Sequence, residues 1–464
     1  MDSSVTAVIL AAGLGTRMKS RQAKVLHRAG GTSLLEHVVK TALAVTSPER
    51  VFAVVGHQAE RVRAEVEHLG IRFARQTEQL GTGHAVLCCR TQLERQAGLL
   101  LVLYGDCPLL TADTVKRLCA RQANDTYTAG TVITTTLENP TGYGRIVLDS
   151  EGNIEAIVEE KACSPEQRAI RRVNTGMYCF RADLLWKHIE EIGSNNPAGE
   201  YYLTDIVQIL GQHGYALGAM HLEDSSEVLG INTRVELAEA DRILRWRKVR
   251  DLMLNGVTIE KPETVTVDGG AAIGMDTVVE PFAQILGRTV IGEGCRIGAC
   301  SIVQDSTLGD GVEVGSFSMI GTSTVEAGAH VGPYARLRME NHVEAGAHVG
   351  NFVELKKTRL GAGSKAMHLA YLGDSDIGPG VNVGAGTITC NYDGQKKHRT
   401  VIGAGSFIGS NSTLVAPMEV GEGSYIAAGS VVTDPVPADA LALGRARQVN
   451  KDGWARRRRE EKKS

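Results

Sequence analysis

Two groups of residues combine types that could do chemistry, and the first lies near the start of the chain. Gly13 and Gly15 form a glycine turn after an apolar segment, where backbone N–H groups can approach a phosphate. Arg17 and Lys24 follow and would add cationic hydrogen-bond donors. Asp106 follows another apolar segment, and a carboxylate there suits a hard cation such as Mg²⁺ that bridges phosphate oxygens. Together these residues indicate phosphate chemistry.

Alternatives stay open for this first group. The third glycine of a dinucleotide-binding GxGxxG motif is replaced by Met18, and the segment is not a Walker A loop. Taken alone, the turn would as readily be a plain tight turn, and the less favoured alternative for Asp106 is a cap of the next helix.

The second group lies in the other half of the chain, around His368. An imidazole titrates near neutrality, at about pH 6.5, and can remove a proton from an amine that attacks a thioester. Arg338 and Lys356, with Lys357 beside it, could clamp a sugar phosphate. The alternative for a lone histidine is a solvated surface residue.

A six-residue repeat must position this second group. Apolar residues recur with that spacing between 290 and 432, most regularly at Ile402, Ile408, Leu414, Val420, Ile426 and Val432. The period fits neither a helix nor an alternating strand, and it predicts a left-handed parallel β-helix of hexapeptides with Gly and small polar residues at its corners. The repeat lapses over 361–374 and 390–394, which predicts two protruding loops.

An α/β layer must position the first group. Apolar runs at 7–12, 51–55 and 99–103 predict buried parallel strands, and segments 33–46, 59–69 and 112–121 predict the helices between them. This alternation predicts a Rossmann-like, doubly wound α/β domain.

The expected organisation is an α/β domain over 1–231, a linking helix over 232–255 and a β-helix domain over 256–464. The charged segment 233–255 predicts the helix, which ends at Asn255 and Gly256. We expect the last coil to end near Pro435 and Pro437, because proline cannot continue a strand ladder.

Composition excludes several classes of protein. The chain has 464 residues, 43% hydrophobic and 22% charged, with a net charge of −3, which gives no general drive toward nucleic acid or membranes. No apolar run reaches membrane-spanning length. The nine cysteines show no paired spacing, so we expect reduced thiols in a cytoplasmic protein. Only the tail is basic, and we expect it to be solvated and frayed.

The motifs resemble those of a known family. Segments similar to the pyrophosphorylase domain of sugar-1-phosphate nucleotidyltransferases are the loop 10–18, Lys24, Gln76 with Gly81 and Thr82, Tyr104-Gly105-Asp106, 142–145, Glu159, 174–176 and 230–232. Read with the hexapeptide repeat, the chain resembles the bacterial bifunctional enzymes that form UDP-N-acetylglucosamine. It departs from their pattern at Leu14, Gly83, Met367 and Ala370.

The resemblance implies roles in uridylyl transfer from UTP to N-acetylglucosamine-1-phosphate. Positions matching the nucleotide and nucleotide-sugar contacts are Leu10, Ala11, Ala12, Gly13, Arg17, Lys24, Gln76, Gly81, Thr82, Tyr104, Gly105, Asp106, Gly144, Glu159, Asn174 and Asn232. Asp106 and Asn232 match the family's Mg²⁺ ligands.

The resemblance also implies acetylation of glucosamine-1-phosphate with acetyl-CoA. His368 matches the catalytic base, and the acceptor contacts match Arg338, Lys356, Tyr371 and Asn382. Positions implied in acetyl-CoA binding are Ala385, Asn391, Tyr392, Ser410, Ala428 and Arg445. Family members are homotrimers with sites between neighbouring solenoids.

Two further hypotheses compete with the bifunctional enzyme. One is another sugar-1-phosphate nucleotidyltransferase, for instance one that makes ADP-glucose, with a structural or regulatory β-helix. The other is a non-catalytic scaffold built on both folds. His368, Arg338 and Lys356 count against the first, and Asp106, Asn232 and His368 together count against the second.

Overall fold

The computed structural model describes residues 5–462 except 97, 151 and 197. The chain divides into two compact units, Met1–Arg245 and Trp246–Ser464, called unit 1 and unit 2 below. The division falls within a long helix that covers the expected linking segment. Segments 1–4 and 463–464, which include the N-terminus and the last lysine of the basic tail, lie outside the described residues.

Unit 1 is built on a mixed nine-stranded sheet in the order β5-β4-β1-β6-β10-β7-β11-β9-β8. Its strands, with the separate β2–β3 hairpin, are β1 Val5–Leu10, β2 Arg28–Ala29, β3 Thr32–Ser33, β4 Val51–Val55, β5 Arg72–Arg75, β6 Leu99–Tyr104, β7 Thr128–Thr136, β8 Arg145–Leu148, β9 Ile154–Val158, β10 Arg172–Arg181 and β11 Ala216–His221. The three apolar runs become β1, β4 and β6, which pair in parallel, because strands buried on both faces need continuous apolar sequence.

Helices flank this sheet. They are α1 Leu34–Leu43, α2 Ala59–Val66, α3 Thr82–Leu87, α4 Arg90–Leu93, α5 Ala112–Asn124, α6 Pro165–Arg168, α7 Ala182–His188, α8 Ile206–Gln212 and α9 Arg234–Leu254. Short 3₁₀ turns occupy Thr16–Met18, Lys24–Leu26, Pro48–Arg50, Glu67–Leu69, Glu160–Ala162, Ile189–Glu191, Leu203–Asp205, Ser225–Val228 and Pro262–Thr264. Ser33 and Thr111 cap α1 and α5 by accepting a backbone N–H of the first turn.

Unit 2 is a solenoid of three parallel sheets with 11, 10 and 9 strands. The first face consists of Thr258–Ile259, Val278–Val279, Arg296–Ile297, Glu313–Val314, His330–Val331, His348–Asn351, Lys365–His368, Asn382–Val383, Phe407–Ile408, Tyr425–Ile426 and Leu441–Ala442. The second face consists of Thr266–Val267, Gln284–Leu286, Ile302–Gln304, Met319–Gly321, Arg336–Leu337, Glu354–Lys356, Tyr371–Gly373, Ile388–Cys390, Thr413–Val415 and Val431–Val432. The third face consists of Ala272–Ile273, Val290–Ile291, Thr307–Leu308, Ser323–Val325, Asn341–Val343, Arg359–Leu360, Ser375–Ile377, Thr400–Ile402 and Met418–Val420. The predicted left-handed parallel β-helix following a Rossmann-like domain is confirmed.

The core of unit 2 is a column of inward aliphatic side chains, as the six-residue period predicts. The lapse predicted over 361–374 is wrong. Ala366 and Leu372 are fully buried and continue the repeat, because a small alanine takes the inward position of that coil. His368 therefore ends a strand rather than lying in a protruding loop. The second lapse is real: an irregular insertion after Cys390 is closed by a bridge between Tyr392 and Lys397.

The corners differ from the expected Gly and small polar residues. We call the turn from the first to the second face the first corner, and the next turn the second corner. Phe317, Tyr334 and Phe352 occupy the first corner with positive φ. Their exposed rings stack with centroids 5.1 and 5.4 Å apart, so contact between successive coils offsets the backbone cost of that conformation.

The solenoid also extends past its two final prolines. Val436, between them, keeps its N–H and donates it to the Glu419 carbonyl at 2.9 Å, and Leu441–Ala442 pairs with Tyr425–Ile426. The basic tail forms an exposed helix, α10 Trp454–Glu461, where we expected a frayed end. All nine cysteines are free. No helix among the described residues is long and apolar enough to cross a membrane.

Candidate active sites

A cavity of about 580 Å³ opens in unit 1 at the carboxyl ends of β1 and β6. These strands are parallel neighbours, with Leu10 opposite Tyr104. The strands that follow them in the chain, β4 and β7, lie toward opposite edges of the sheet, and ligands bind in such folds where the strand order reverses. The predicted residues that line the cavity are Leu10, Ala11, Ala12, Gly13, Arg17, Lys24, Gln76, Gly81, Thr82, Tyr104, Asp106 and Asn232. Gly105 lies beside it and donates its N–H to the Leu10 carbonyl at 3.0 Å.

Acidic and cationic groups meet at one end of this cavity. Lys24 Nζ forms an ion pair with Asp106 Oδ2 and donates to Asn232 Oδ1 at 3.0 Å. Arg17 Nη2 donates to the same amide oxygen at 2.8 Å. Two oxygens suited to a hard metal ion are therefore held by cations, and both cations can turn to phosphate oxygens.

Backbone contacts bring Asn232 to this place from far along the chain. The Ile231 N–H donates to the Asp106 carbonyl at 2.9 Å. The carboxylate of Glu236, in the first turn of α9, accepts the N–H groups of Asn232 and Thr233 at 2.6 and 2.7 Å. Glu236 thus anchors Asn232, a role the sequence did not reveal.

Gly15 shapes the turn that carries the glycine loop. Its φ is +62°, and a Cβ there would lie 2.5 Å from Lys24 Cβ. A side chain at Gly15 would therefore displace Lys24 as well as strain the backbone. Leu14 is half exposed, and its apolar side chain contributes no charge to the cavity.

Gln76 and Thr82 form the opposite end of the cavity. Gln76 is buried, and its Nε2 donates to the Gly81 carbonyl at 3.1 Å and contacts His84 Nδ1 at 3.0 Å. Thr82 Oγ1 accepts the Leu203 N–H at 3.0 Å. His84, which the sequence analysis missed, helps to fix the amide that faces the site.

The residues implied in sugar binding lie close together, and one of them, Glu159, lines a neighbouring cavity of about 680 Å³. A Cβ on Gly144 would lie 3.5 Å from Glu159 Oε1 and 3.7 Å from Asn174 Cβ. Asn174 donates to the Tyr178 hydroxyl at 2.8 Å. Burial raises the pKa of Glu159, opposed by a hydrogen bond from Thr204.

A second polar cluster lies on the second face of unit 2, towards the second corner. Lys356, only 6% exposed, lies with its Nζ 3.6 Å from Asp374 Oδ2, which also accepts from Asn391 Nδ2. Asn391 Nδ2 lies 3.5 Å from the Tyr371 hydroxyl. Arg338 precedes Lys356 by one coil and pairs with Glu354 at 3.1 Å.

Lys397, from the insertion, belongs to this cluster and was missed. A hydrogen bond and the like charge of Lys356 lower the pKa of Lys397. Two ammonium groups side by side favour an anion between them. The signal in the sequence was the lapse of the repeat over 390–394, which lies just before Lys397.

His368 lies at the first corner, at the other edge of the second face. It is exposed, and its Nδ1 lies 2.8 Å from Asn351 Oδ1. The strand registers continue this position into the following coils, so Ala385, Ser410 and Ala428 share one column with His368. Arg445 reaches the end of that column, with its Cδ 3.7 Å from a Cβ built on Gly429.

Two sets of residues that the resemblance implies in binding, one for the acceptor and one for acetyl-CoA, do not lie together within one chain. Asn382 lies on the first face beside Lys365, not with the other acceptor residues. Asn391 and the half-exposed Tyr392 lie at the second corner, not in the column of Ala385, Ser410 and Ala428.

Comparison with known proteins gives matches for both units. The MobA-like NTP transferase domain matches residues 7–172, and the bacterial transferase hexapeptide repeat matches 270–305 and 399–434. The bifunctional protein GlmU of Solibacter usitatus is 61% identical and covers 99% of this chain and 98% of its own. Those of Koribacter versatilis and a Geobacillus species are 50% and 45% identical, covering 98% and 97% of this chain and 97% of each relative.

Fold and matches define an NTP transferase domain followed by a hexapeptide-repeat transferase. The chain belongs to the GlmU family of bifunctional proteins. It is an acetyltransferase and a uridyltransferase: glucosamine-1-phosphate is acetylated with acetyl-CoA, and the product reacts with UTP to give UDP-N-acetylglucosamine and pyrophosphate. The prediction of a bifunctional enzyme is confirmed over its two alternatives.

Proposed function

We propose that uridylyl transfer takes place in the cavity of unit 1 and that the predicted residues lining it hold UTP. The observation that carries this assignment is the convergence of the glycine loop, Lys24, Gln76, Asp106 and Asn232 on one cavity of about 580 Å³. We assign the phosphates to the glycine loop and Lys24, and the base to Gln76, Gly81 and Thr82. The amino sugar extends toward Gly144, Glu159 and Asn174.

We further propose that Asp106 and Asn232 hold Mg²⁺. A carboxylate and an amide oxygen are the donors this ion prefers, and both face cationic nitrogens in the structure. When bound, Mg²⁺ supplies Lewis-acid stabilisation of negative charge on the phosphates. Lys24 and Arg17 add positive charge beside those oxygens. The attacking sugar phosphate is already an anion, so this step needs no general base.

In unit 2 we propose that glucosamine-1-phosphate lies across the second face. Lys356, Arg338 and Lys397 hold its phosphate near the second corner, Tyr371 lies beneath the sugar, and His368 takes the proton of the attacking amine at the first corner. Gly373, the register partner of Lys356, lies five positions after His368, an extended span of at most about 18 Å. A sugar phosphate with two side chains reaching toward it can bridge that span.

Acetyl-CoA is assigned to the first corner beyond His368. Before this point the corner carries Phe317, Tyr334 and Phe352, and after it the positive-φ corner residues are Gly386, Asn411 and Gly429. The change from aromatic rings to small or absent side chains leaves a strip along Ala385, Ser410 and Ala428 for an extended thioester, with Arg445 at its end for a phosphate.

The assembly and location belong to the same proposal. Exposed aromatic rings at the first corner, and the distance of Asn382, Asn391 and Tyr392 from the groups they would complete, favour a homotrimer in which neighbouring copies supply these residues. The free cysteines and the use of UTP and acetyl-CoA favour a cytoplasmic location. The boundaries 1–231, 232–255 and 256–464 remain proposals for functional domains.

The test supplies glucosamine-1-phosphate, acetyl-CoA, UTP and Mg²⁺ and identifies the products. Free CoA and UDP-N-acetylglucosamine are expected, and EDTA should stop formation of the nucleotide sugar while CoA release continues. Uridylyl transfer that persists in EDTA contradicts the metal site.

A fragment of residues 1–255 should retain uridylyl transfer to preformed N-acetylglucosamine-1-phosphate. A folded but inactive fragment contradicts the domain boundaries.

A further inference from the structure

Asn351 contacts the ring of His368 at a fixed place in the solenoid. Both residues end first-face strands in successive coils, and they are register partners. Parallel neighbouring strands lie about 4.8 Å apart, so side chains at partnered positions lie side by side. The Leu369 N–H also donates to the Asn351 carbonyl at 3.1 Å. Backbone and side chain together therefore hold the imidazole against Asn351.

This contact determines which ring nitrogen carries the proton. Asn351 Oδ1 lies 2.8 Å from His368 Nδ1, and an amide oxygen can only accept a hydrogen bond. In the neutral ring the proton therefore belongs on Nδ1, and the lone pair is on Nε2. Among the described residues, this is the only hydrogen bond recorded for the His368 side chain.

We propose that Asn351 is a positioning residue for acetyl transfer, which accepts Nδ1–H of His368 and so leaves Nε2 able to take a proton. The inference rests on the proposed role of His368 as general base. The amine of the sugar forms the new C–N bond to the acetyl carbon and gives a proton to Nε2. The C–S bond then breaks, and the imidazolium returns that proton to the departing sulfur of CoA.

A neutral asparagine orients the ring without stabilising its charged form. A carboxylate at this position would also accept from Nδ1–H, and it would favour the protonated ring. The two residues are therefore distinguishable by the pH dependence of acetyl transfer, which a purely structural role of Asn351 would not alter.

The experiment compares Asn351→Leu and Asn351→Asp with the wild-type full-length protein. For Asn351→Leu we expect kcat of acetyl transfer to fall roughly 10-fold with little change in KM for glucosamine-1-phosphate. Asn351→Asp should recover most of the rate, with the acidic limb of its pH–rate profile moved to higher pH. His342→Ala, which removes an exposed histidine of the third face, is the matched control. Uridylyl transfer by the same chains should be unchanged because its site lies in unit 1, and thermal unfolding of each variant reports whether unit 2 is folded.

His368→Gln separates the inference from the assignment on which it rests. If His368→Gln is inactive in acetyl transfer while Asn351→Leu keeps the wild-type kcat and pH profile, the positioning role is wrong and the general base stands. If His368→Gln keeps the wild-type rate, both are wrong. Because Asn351 acts through the ring, the double variant should be no slower than His368→Gln alone. If Asn351→Leu does not fold, Asn351→Asp provides the test. A pH–rate profile of Asn351→Asp that equals that of the wild type would overturn the proposal.

Discussion

The two candidate sites are assembled over very different distances along the chain. In unit 1, Arg17 meets Asn232 across 215 positions, whereas in unit 2 Asn351 meets His368 across 17. A doubly wound sheet collects the loops of several strands at one edge. A solenoid brings each coil into contact only with the next, so its functional groups form columns along corners and faces. The candidate site in unit 1 is therefore a cavity, and the candidate site in unit 2 is an open surface that extends over successive coils.

Replacement of the proposed general base is expected to have the largest effect. His368→Gln should slow acetyl transfer by about 10²- to 10⁴-fold, the usual contribution of a positioned base. The uridylyl rate should be unchanged because its site lies in unit 1. Parallel assays of CoA release and of pyrophosphate release from preformed N-acetylglucosamine-1-phosphate measure both. Equal loss of the two activities would contradict the assignment of the two reactions to separate sites.

Asp106→Asn makes the reciprocal change in unit 1. It keeps the shape of the side chain and removes the charge that pairs with Lys24, so uridylyl transfer should fall by roughly 10²- to 10³-fold. CoA release should continue at the wild-type rate. Mn²⁺ binding in the presence of UTP, followed by electron paramagnetic resonance, should weaken in parallel. Tight Mn²⁺ binding by the variant would show that Asp106 is not a metal ligand.

Gly373→Ala tests the proposed acceptor site on the second face, with a smaller expected effect. A Cβ there would lie 2.5 Å from the Tyr371 hydroxyl and 2.6 Å from Asn391 Nδ2, so Tyr371 must leave its place over the second face. We expect KM for glucosamine-1-phosphate to rise about 10-fold, on the scale of one or two lost hydrogen bonds.

Gly321→Ala is the matched control for this change. Gly321 also ends a strand of the second face, and its Cβ would meet nothing closer than 3.8 Å. This variant should keep wild-type kinetics. If both glycine variants behave alike, the position of Tyr371 does not determine binding of the acceptor.

Glu159→Gln should give the smallest effect, on stability. Burial raises the pKa of Glu159, so the folded protein binds this proton more tightly than the unfolded chain does. The resulting stability is present below the usual glutamate pKa of about 4.3 and is lost as pH rises through the raised pKa. At pH 7 the variant should therefore have a slightly higher Tm, and the difference should shrink toward pH 4. Glu155→Gln, at an exposed position of β9, should change nothing.

Much of the fold could be predicted from patterns that have one physical reading. Short apolar runs separated by helix-length segments indicate buried parallel strands, and the six-residue period indicates a β-helix. The loop predicted over 361–374 was wrong because alanine was not counted as an inward residue at Ala366. The bulky first corner was missed because stacking between Phe317 and Tyr334 depends on the coil spacing and not on local propensity.

The site residues also fall into two kinds, those that the sequence reveals and those that it does not. Residues in short motifs, such as the glycine loop and Asp106, were found from their types and neighbours. Glu236, His84, Asn351 and Lys397 were not. Asn351 and Lys397 contact residues of other coils, and although Glu236 and His84 lie close in sequence to Asn232 and Gln76, no motif marks those pairs. Their roles follow from contacts that only the folded chain creates.

The central claim is that the two reactions depend on separate sets of residues, one set in unit 1 and the other in unit 2. It is tested most directly by mixing equal amounts of the Asp106→Asn and His368→Gln proteins with glucosamine-1-phosphate, acetyl-CoA, UTP and Mg²⁺ and measuring UDP-N-acetylglucosamine. Neither variant alone should form it at an appreciable rate. The mixture should form it, after a lag, at about half the wild-type rate, because each activity is present on half of the chains and the acetylated intermediate passes between them. A mixture as inactive as its components would contradict the account.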